Sequence, residues 1–181
     1  KSLTSIFKRP TDMLLLPLIL PTKLASICDG LKSLPDDKYR YKQLLFWADE
    51  CPDMDPSLKT DENKVPGCLS TVHVAATLED GRVQYVGDSD AQLTKGLVAL
   101  LIKGLSGSTP EEITKVDAAF IKEAGISASL TPGRNNGFIN MLGVMKNKAA
   151  ALGDFGEGPV ARAISAKLAL LKPEKVEVRD D

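Results

Sequence analysis

The sequence predicts an α+β fold: a small antiparallel β-sheet packed on one face by several α-helices. Three observations carry that expectation. Residues 70 to 86 alternate apolar and polar side chains across a turn signal, which reads as an antiparallel hairpin. Around it, apolar residues recur at helical spacing. Helix ends are marked by capping residues, prolines and glycines between those periodic segments.

The long apolar run from Met13 to Pro21 is broken by Pro17 and falls far short of the ~20 residues a bilayer-spanning helix needs. From Thr22, an N-cap candidate, Leu24, Ile27, Cys28 and Leu31 define a helix with Cys28 on its apolar face. A second helix is expected from Asp36 to about Asp49, with Tyr41, Leu44, Leu45 and Ala48 inward. The prolines of "CPDMDPS" stop it beside Cys51. Residues 57 to 67 are polar and turn-rich, a loop leading into Cys68.

"STVHVAAT" then sets Val72 and Val74 against Thr71 and His73, and "EDG" at residues 79 to 81 separates it from "RVQYV". Ser89 or Asp90 is placed to cap the next helix, whose Leu93, Leu97, Leu100, Leu101 and Leu105 line one face up to "SGS". Thr109, Pro110 and Glu112 occupy N-cap, first-turn proline and capping-box positions of a helix expected to end near Gly125. A second Thr-Pro pair opens a turn before Ile139, Leu142 and Met145 or Val144, the buried face of a helix reaching Gly153. "GDFGEGP" reads as a glycine-rich linker; beyond it Val160, Ile164, Leu168 and Leu171 trace a helix and "EKVEVRD" a short strand. The expected organisation is a main domain over residues 20 to 152, a linker over 153 to 158 and a tail over 159 to 181.

A chain of 181 residues suits one compact domain with an appendage. Its 23 basic and 24 acidic residues leave a formal charge of -1, so no global field attracts nucleic acid or an anionic membrane. The three cysteines form no CxxC pair, which removes the zinc-knuckle and dithiol-redox signatures. Their odd number argues against a closed disulfide framework and for a reducing compartment.

Most free cysteines are buried and chemically quiet, and on that default Cys68 is structural. Its position argues otherwise, because a thiol after the flexible Pro66-Gly67 pair can be presented or hidden by modest backbone movement. Cys28 and Cys51 lie on or at the end of amphipathic helices and are assigned no chemistry. His73, the only histidine, is a conceivable base for Cys68. Five positions of extended chain, roughly 16 Å, separate the two, and an ordinary strand histidine is the better account. Asp88 and Asp90 in "DSD" suit helix capping as well as metal binding. Arg134 in "PGRNNG" is by default a solvated loop arginine, although its guanidinium is the group best suited to carboxylates.

Taken together, "LPTKL", "YKQLLFWA", "NKVPGCLSTVHV", "GRVQYVGDSDAQLTKGLVALLIKGLSGSTPEEI" and "LTPGRNNGFINML" resemble, in sequence and spacing, the SufE family of sulfur-acceptor proteins over about residues 20 to 150. The PGC-x-S loop, the DSDA-x-x-x-KGL helix start and the TP-x-R-x-NG segment occur together. The resemblance implies a SufE/IscU-like fold and a protein that accepts persulfide sulfur from a SufS-type cysteine desulfurase, stimulates it, and passes the sulfur to an iron-sulfur scaffold complex. Cys68 matches the acceptor. It implies no resident cofactor or metal: the cargo is a covalent persulfide, and pyridoxal phosphate belongs to the desulfurase. Asp88, Asp90 and Arg134 match family segments around the acceptor loop and are carried over as docking or loop-positioning residues. His73 departs from the aromatic residue many members place there.

The tail "GPVARAISAKLALLKPEKVEVRDD" resembles the opening of a BolA domain, whose complete form would add glutaredoxin as a partner. SufE followed by BolA is typical of plastid proteins, so the resemblance implies plastid stroma, with bacterial cytoplasm the alternative. A rival function is an IscU-like cluster scaffold, which would need the three cysteines to converge on one site. A third is a binding module whose cysteine is incidental.

Overall fold

In the computed structural model the described residues run from 20 to 157. The tail expected at 159 to 181 and most of the apolar run from Met13 lie outside them. Six helices and one hairpin follow in order: α1 (Thr22–Lys32), α2 (Asp37–Glu50), β1 (Val72–Glu79), β2 (Arg82–Ser89), α3 (Gln92–Leu105), α4 (Pro110–Thr114), α5 (Phe120–Glu123) and α6 (Pro132–Glu157).

The hairpin forms where alternation and turn chemistry agree. Asp80 and Gly81 both take positive φ, 50° and 73°, the requirement of a tight turn matched to strand twist. The register pairs Val72 with Ser89 and Glu79 with Arg82. Val72, Val74, Val83 and Tyr85 are buried towards the helices, and the Tyr85 hydroxyl donates to the Met145 carbonyl of α6 at 2.7 Å. The opposite face, with Val86 exposed, borders an open groove edged by Leu58, Lys148 and Leu152. The sheet is thus covered by helices on one face, as expected.

The central element is α3, with Leu93, Leu97, Leu100, Leu101 and Leu105 all buried. Two of its glycines let neighbours approach closely. A Cβ at Gly96 would lie 2.1 Å from the Leu44 carbonyl oxygen of α2, and one at Gly104 would lie 2.7 Å from Leu24 of α1. The α2 crossing centres on Leu44, so Tyr41, a turn earlier, remains exposed instead of joining the inward stripe.

Several helix boundaries differ from expectation. Pro21 occupies the N-cap position of α1 without a side-chain cap. The capping box of Thr109 and Glu112 is present, but α4 ends at Thr114. Lys146 of α6 donates to the Val116 carbonyl at 2.7 Å, and the Asp117 carboxylate accepts from Ala119 N at 2.8 Å. Those bonds give the backbone partners outside a helix, and the segment expected to reach Gly125 splits into α4 and α5.

The Thr131-Pro132 pair opens α6 directly, with no separate turn. Its buried face is Phe138, Met141, Leu142, Met145 and Ala149, one residue out of phase with the expected Ile139, which is exposed. The helix also continues past Gly153 to Glu157, through most of the stretch read as linker. Gly153 is a packing glycine, since a Cβ there would lie 2.9 Å from Pro110.

Candidate functional site

Between α2 and β1 the chain makes two short 3-10 turns, Pro56–Leu58 and Asp61–Asn63, before Val65 N bonds the Val72 carbonyl at 2.8 Å. The segment from Lys59 to Thr71 is tied to the body at several points. Lys59 Nζ donates to Asp88 Oδ2 at 2.7 Å, and Lys148 Nζ donates to Glu62 O at 3.3 Å and Asn63 Oδ1 at 2.8 Å. Asn140 Nδ2 donates to Pro66 O at 3.2 Å. On the far side, Ser70 and Thr94 hydroxyls meet at 3.3 Å, and Thr71 N donates to Asp90 Oδ1 at 3.0 Å.

At the tip, Gly67, Cys68 and Leu69 run along α6. Gly67 takes φ +72°, and a Cβ there would also lie 2.6 Å from Asn140 Nδ2, so glycine is required twice over. The Cys68 thiol faces the Gly137 carbonyl at 3.6 Å. Leu69 lies over Gly133, where a Cβ would be 3.0 Å from its Cδ1, yet the leucine is 79% exposed. Half-buried Cys68 borders a crevice on the α6 side and an open groove on the other. Burial pushes its thiol pKa up, which keeps the resting thiol protonated and slow to oxidise.

Asp88 is 7% exposed. Besides Lys59 it faces Lys95 Nζ at 3.4 Å, and it accepts from Ser89 N at 2.8 Å. Burial alone would raise its carboxyl pKa, but the Lys59 and Ser89 hydrogen bonds and the two lysine charges outweigh that and hold it below the ordinary value. Lys95 also pairs with Asp53 at 2.5 Å, a contact that raises its own pKa. Asp88 therefore braces the start of the Cys68 segment from a largely buried position.

Asp90 is exposed and, with Ser89, leaves the N-cap position of α3 to Ala91. Its carboxylate turns back to Thr71 and ties the end of the acceptor segment to the helix start. Arg134 is exposed in the first turn of α6, not on a loop, and it lines the crevice beside Cys68. The fold thus brings Asp90 and Arg134 to the two flanks of the cysteine and puts Asp88 beneath the segment leading to it.

His73 pairs with Asp88 across the hairpin and bridges to Lys64, while Cys68 is turned towards α6. The other cysteines have different surroundings. Cys28 is 3% exposed in the core, its pKa raised to about 11 by burial. Cys51 caps the end of α2 with its sulfur 3.8 Å from the Gly87 carbonyl, and burial raises its pKa too. Among the described residues no group of three or more His, Cys, Asp or Glu side chains could hold a metal ion.

Lys59, Lys95, Lys148 and Asn140 also brace the site, and sequence reasoning did not single them out. Lys59, Lys148 and Asn140 act on partners 29 or more residues away, so no local pattern marks them, whereas Lys95 lies in the DSDA-x-x-x-KGL segment but also reaches Asp53, 42 residues away.

The α+β body presents one half-buried cysteine at the tip of a braced loop. The chain belongs to the SufE family: the family model described as "Fe-S metabolism associated domain" matches residues 25–149. It is 50% identical over 142 residues to an uncharacterized SufE-like protein of Synechocystis, covering 77% of this chain and 89% of that one. It is 45% identical over 139 residues to the Arabidopsis thaliana SufE-like protein 1, chloroplastic/mitochondrial, covering 76% of this chain and 38% of the relative. The cysteine desulfuration protein SufE of Plasmodium vivax is 40% identical over 143 residues, covering 76% and 57% respectively. A solution structure of a hypothetical protein from Thermus thermophilus superposes with TM-score 0.66 at 27% identity, over 74% of this chain and 97% of that one. Membership of this family supports a role in sulfur transfer.

Proposed function

We propose that the protein is a sulfur acceptor and carrier that takes persulfide sulfur from a SufS-type cysteine desulfurase onto Cys68. The Cys68 thiolate attacks the outer sulfur of the desulfurase persulfide. One S–S bond forms as another breaks, the desulfurase cysteine leaves as a thiolate, and no net oxidation occurs. Removing that covalent product stimulates the desulfurase, whose pyridoxal phosphate generates the sulfur. The persulfide then passes to an iron-sulfur scaffold complex.

The observation that carries this reading is the placement of Cys68: one thiol at the tip of a loop braced on both sides, opening to solvent on one of them. Transfer between thiols needs access and a modest rise in thiolate fraction, both of which docking supplies, and it needs no base held in place. Asp90 and Arg134 flank the loop where a docked partner would lie. The Arabidopsis relative is named chloroplastic/mitochondrial, which is consistent with a plastid, and the stroma is the proposed compartment. A glutaredoxin partner would belong to a complete BolA domain.

A cluster scaffold fits less well. Cys28 is enclosed near Lys32 and Glu123, Cys51 lies near Lys95 and Asp53, and Cys68 contacts Gly137, so the three sulfurs do not share one set of neighbours.

The test is alanine release from cysteine by a SufS-type desulfurase, with wild-type protein and with Cys68→Ser. Stimulation by the wild type and none by a folded Cys68→Ser is the expected result; equal stimulation by both removes the carrier reading.

A further inference from the structure

The two spaces beside Cys68 differ greatly in size. The inner crevice, walled by Leu97, Gly137 and Met141, has a volume of about 10 Å³. That is the lower limit for one water molecule, roughly 10–15 Å³. The sulfur already meets this wall at the Gly137 carbonyl, 3.6 Å from Sγ. The outer groove, edged by Asp61, Lys64, Pro66, Thr71 and Asp90, has a volume of about 550 Å³.

A persulfide adds an atom larger than a water oxygen at about 2 Å beyond Sγ. A crevice of about 10 Å³ does not hold it while the lining side chains keep their places, and close packing resists their displacement. A persulfide is also more acidic than a thiol, and the open groove leaves that anion hydrated. Cys68 borders both spaces, so its sulfur needs no long path between them.

We infer that the outer groove is the seat of the bound sulfane sulfur, and that the inner crevice is the seat of the empty thiol only. The empty carrier withdraws its sulfur, and the loaded carrier displays its cargo. This rests on the proposed carrier function, but its test does not use a desulfurase.

In a Cys51→Ala background, the protein is loaded with inorganic polysulfide. The Cys68 thiolate attacks a terminal sulfur, one S–S bond forms as another breaks, and a shorter polysulfide leaves. Cyanide then removes the outer sulfur as thiocyanate and returns the thiolate. With access setting the rate, cyanolysis of the folded loaded protein should stay within about fivefold of that in urea, while iodoacetamide alkylation of the folded empty thiol should be slowed by more than about fivefold. Gly137→Ala, which narrows only the crevice, should leave cyanolysis unchanged. Cyanolysis slowed more than fivefold by folding, or alkylation not slowed beyond it, overturns the two-seat assignment. A desulfurase that fails to load Cys68 would remove the proposed function and leave this assignment standing.

Discussion

Cys28 and Cys68 carry the same thiol in opposite settings. Cys28 sits on a regular helix inside the core, where every neighbour is fixed and burial lifts its pKa to about 11. Cys68 sits on three residues held at both flanks but free of regular structure, with a wall of α6 on one side and solvent on the other. Burial raises both pKa values. Intrinsic acidity therefore does not separate the working thiol from the quiet one; access does.

The largest contrast should appear on removing each sulfur. Cys68→Ser should abolish sulfur acceptance with no change in the unfolding transition, whereas Cys28→Ser should retain acceptance and lose about 2 kcal/mol by enclosing a hydroxyl among apolar side chains. Urea unfolding and the desulfurase assay read the two. Asp88→Ala removes the shared partner of Lys59 and Lys95 and leaves Lys95 with Asp53 alone. A loss of about 3 kcal/mol is expected, with faster alkylation of Cys68 and none of Cys28. If both cysteines become equally reactive, Asp88 supports the whole fold and not the loop.

Gly67→Ala is a smaller disturbance confined to the tip. The left-handed conformation and the contact with Asn140 should cost about 1–2 kcal/mol, with sulfur acceptance slowed while Cys28 stays inert. The smallest effects are those of pH. Because the folded Cys28 pKa lies above its ordinary value of 9.0, folding favours the neutral thiol, so its contribution to stability is complete below pH 9 and is lost as pH rises towards 11. The alkaline fall in stability should be shallower in Cys28→Ala. Asp88 has the opposite sign: its lowered pKa supports the fold at neutral pH, and that support is lost as pH falls through the carboxylate range. Asp88→Asn should flatten the acid limb of the same curve.

Features written within a few residues of one another were legible in the sequence. The Asp80-Gly81 hairpin, the leucine face of α3 and the Thr109 capping box each combine neighbouring residues, and the structure contains all three. The errors came where a distant group decided. Lys146 reaches the Val116 carbonyl as α4 gives way to α5, Pro110 gives Gly153 a packing role inside α6, and Thr71 draws Asp90 away from capping α3. The site divides the same way. The Pro-Gly turn and following strand marked the place of Cys68, but the burial of Asp88 and the lysines that brace the loop depend on contacts between segments that no local spacing encodes.

The central claim is that, of the three thiols, Cys68 alone receives sulfur. The most direct measurement is mass spectrometry of the protein after incubation with a SufS-type desulfurase and cysteine, with the added sulfur located by peptide mapping. One added sulfur on the Cys68 peptide, absent from Cys68→Ser, is the predicted result. Sulfur on Cys28 or Cys51, or sulfur retained by Cys68→Ser, would contradict it.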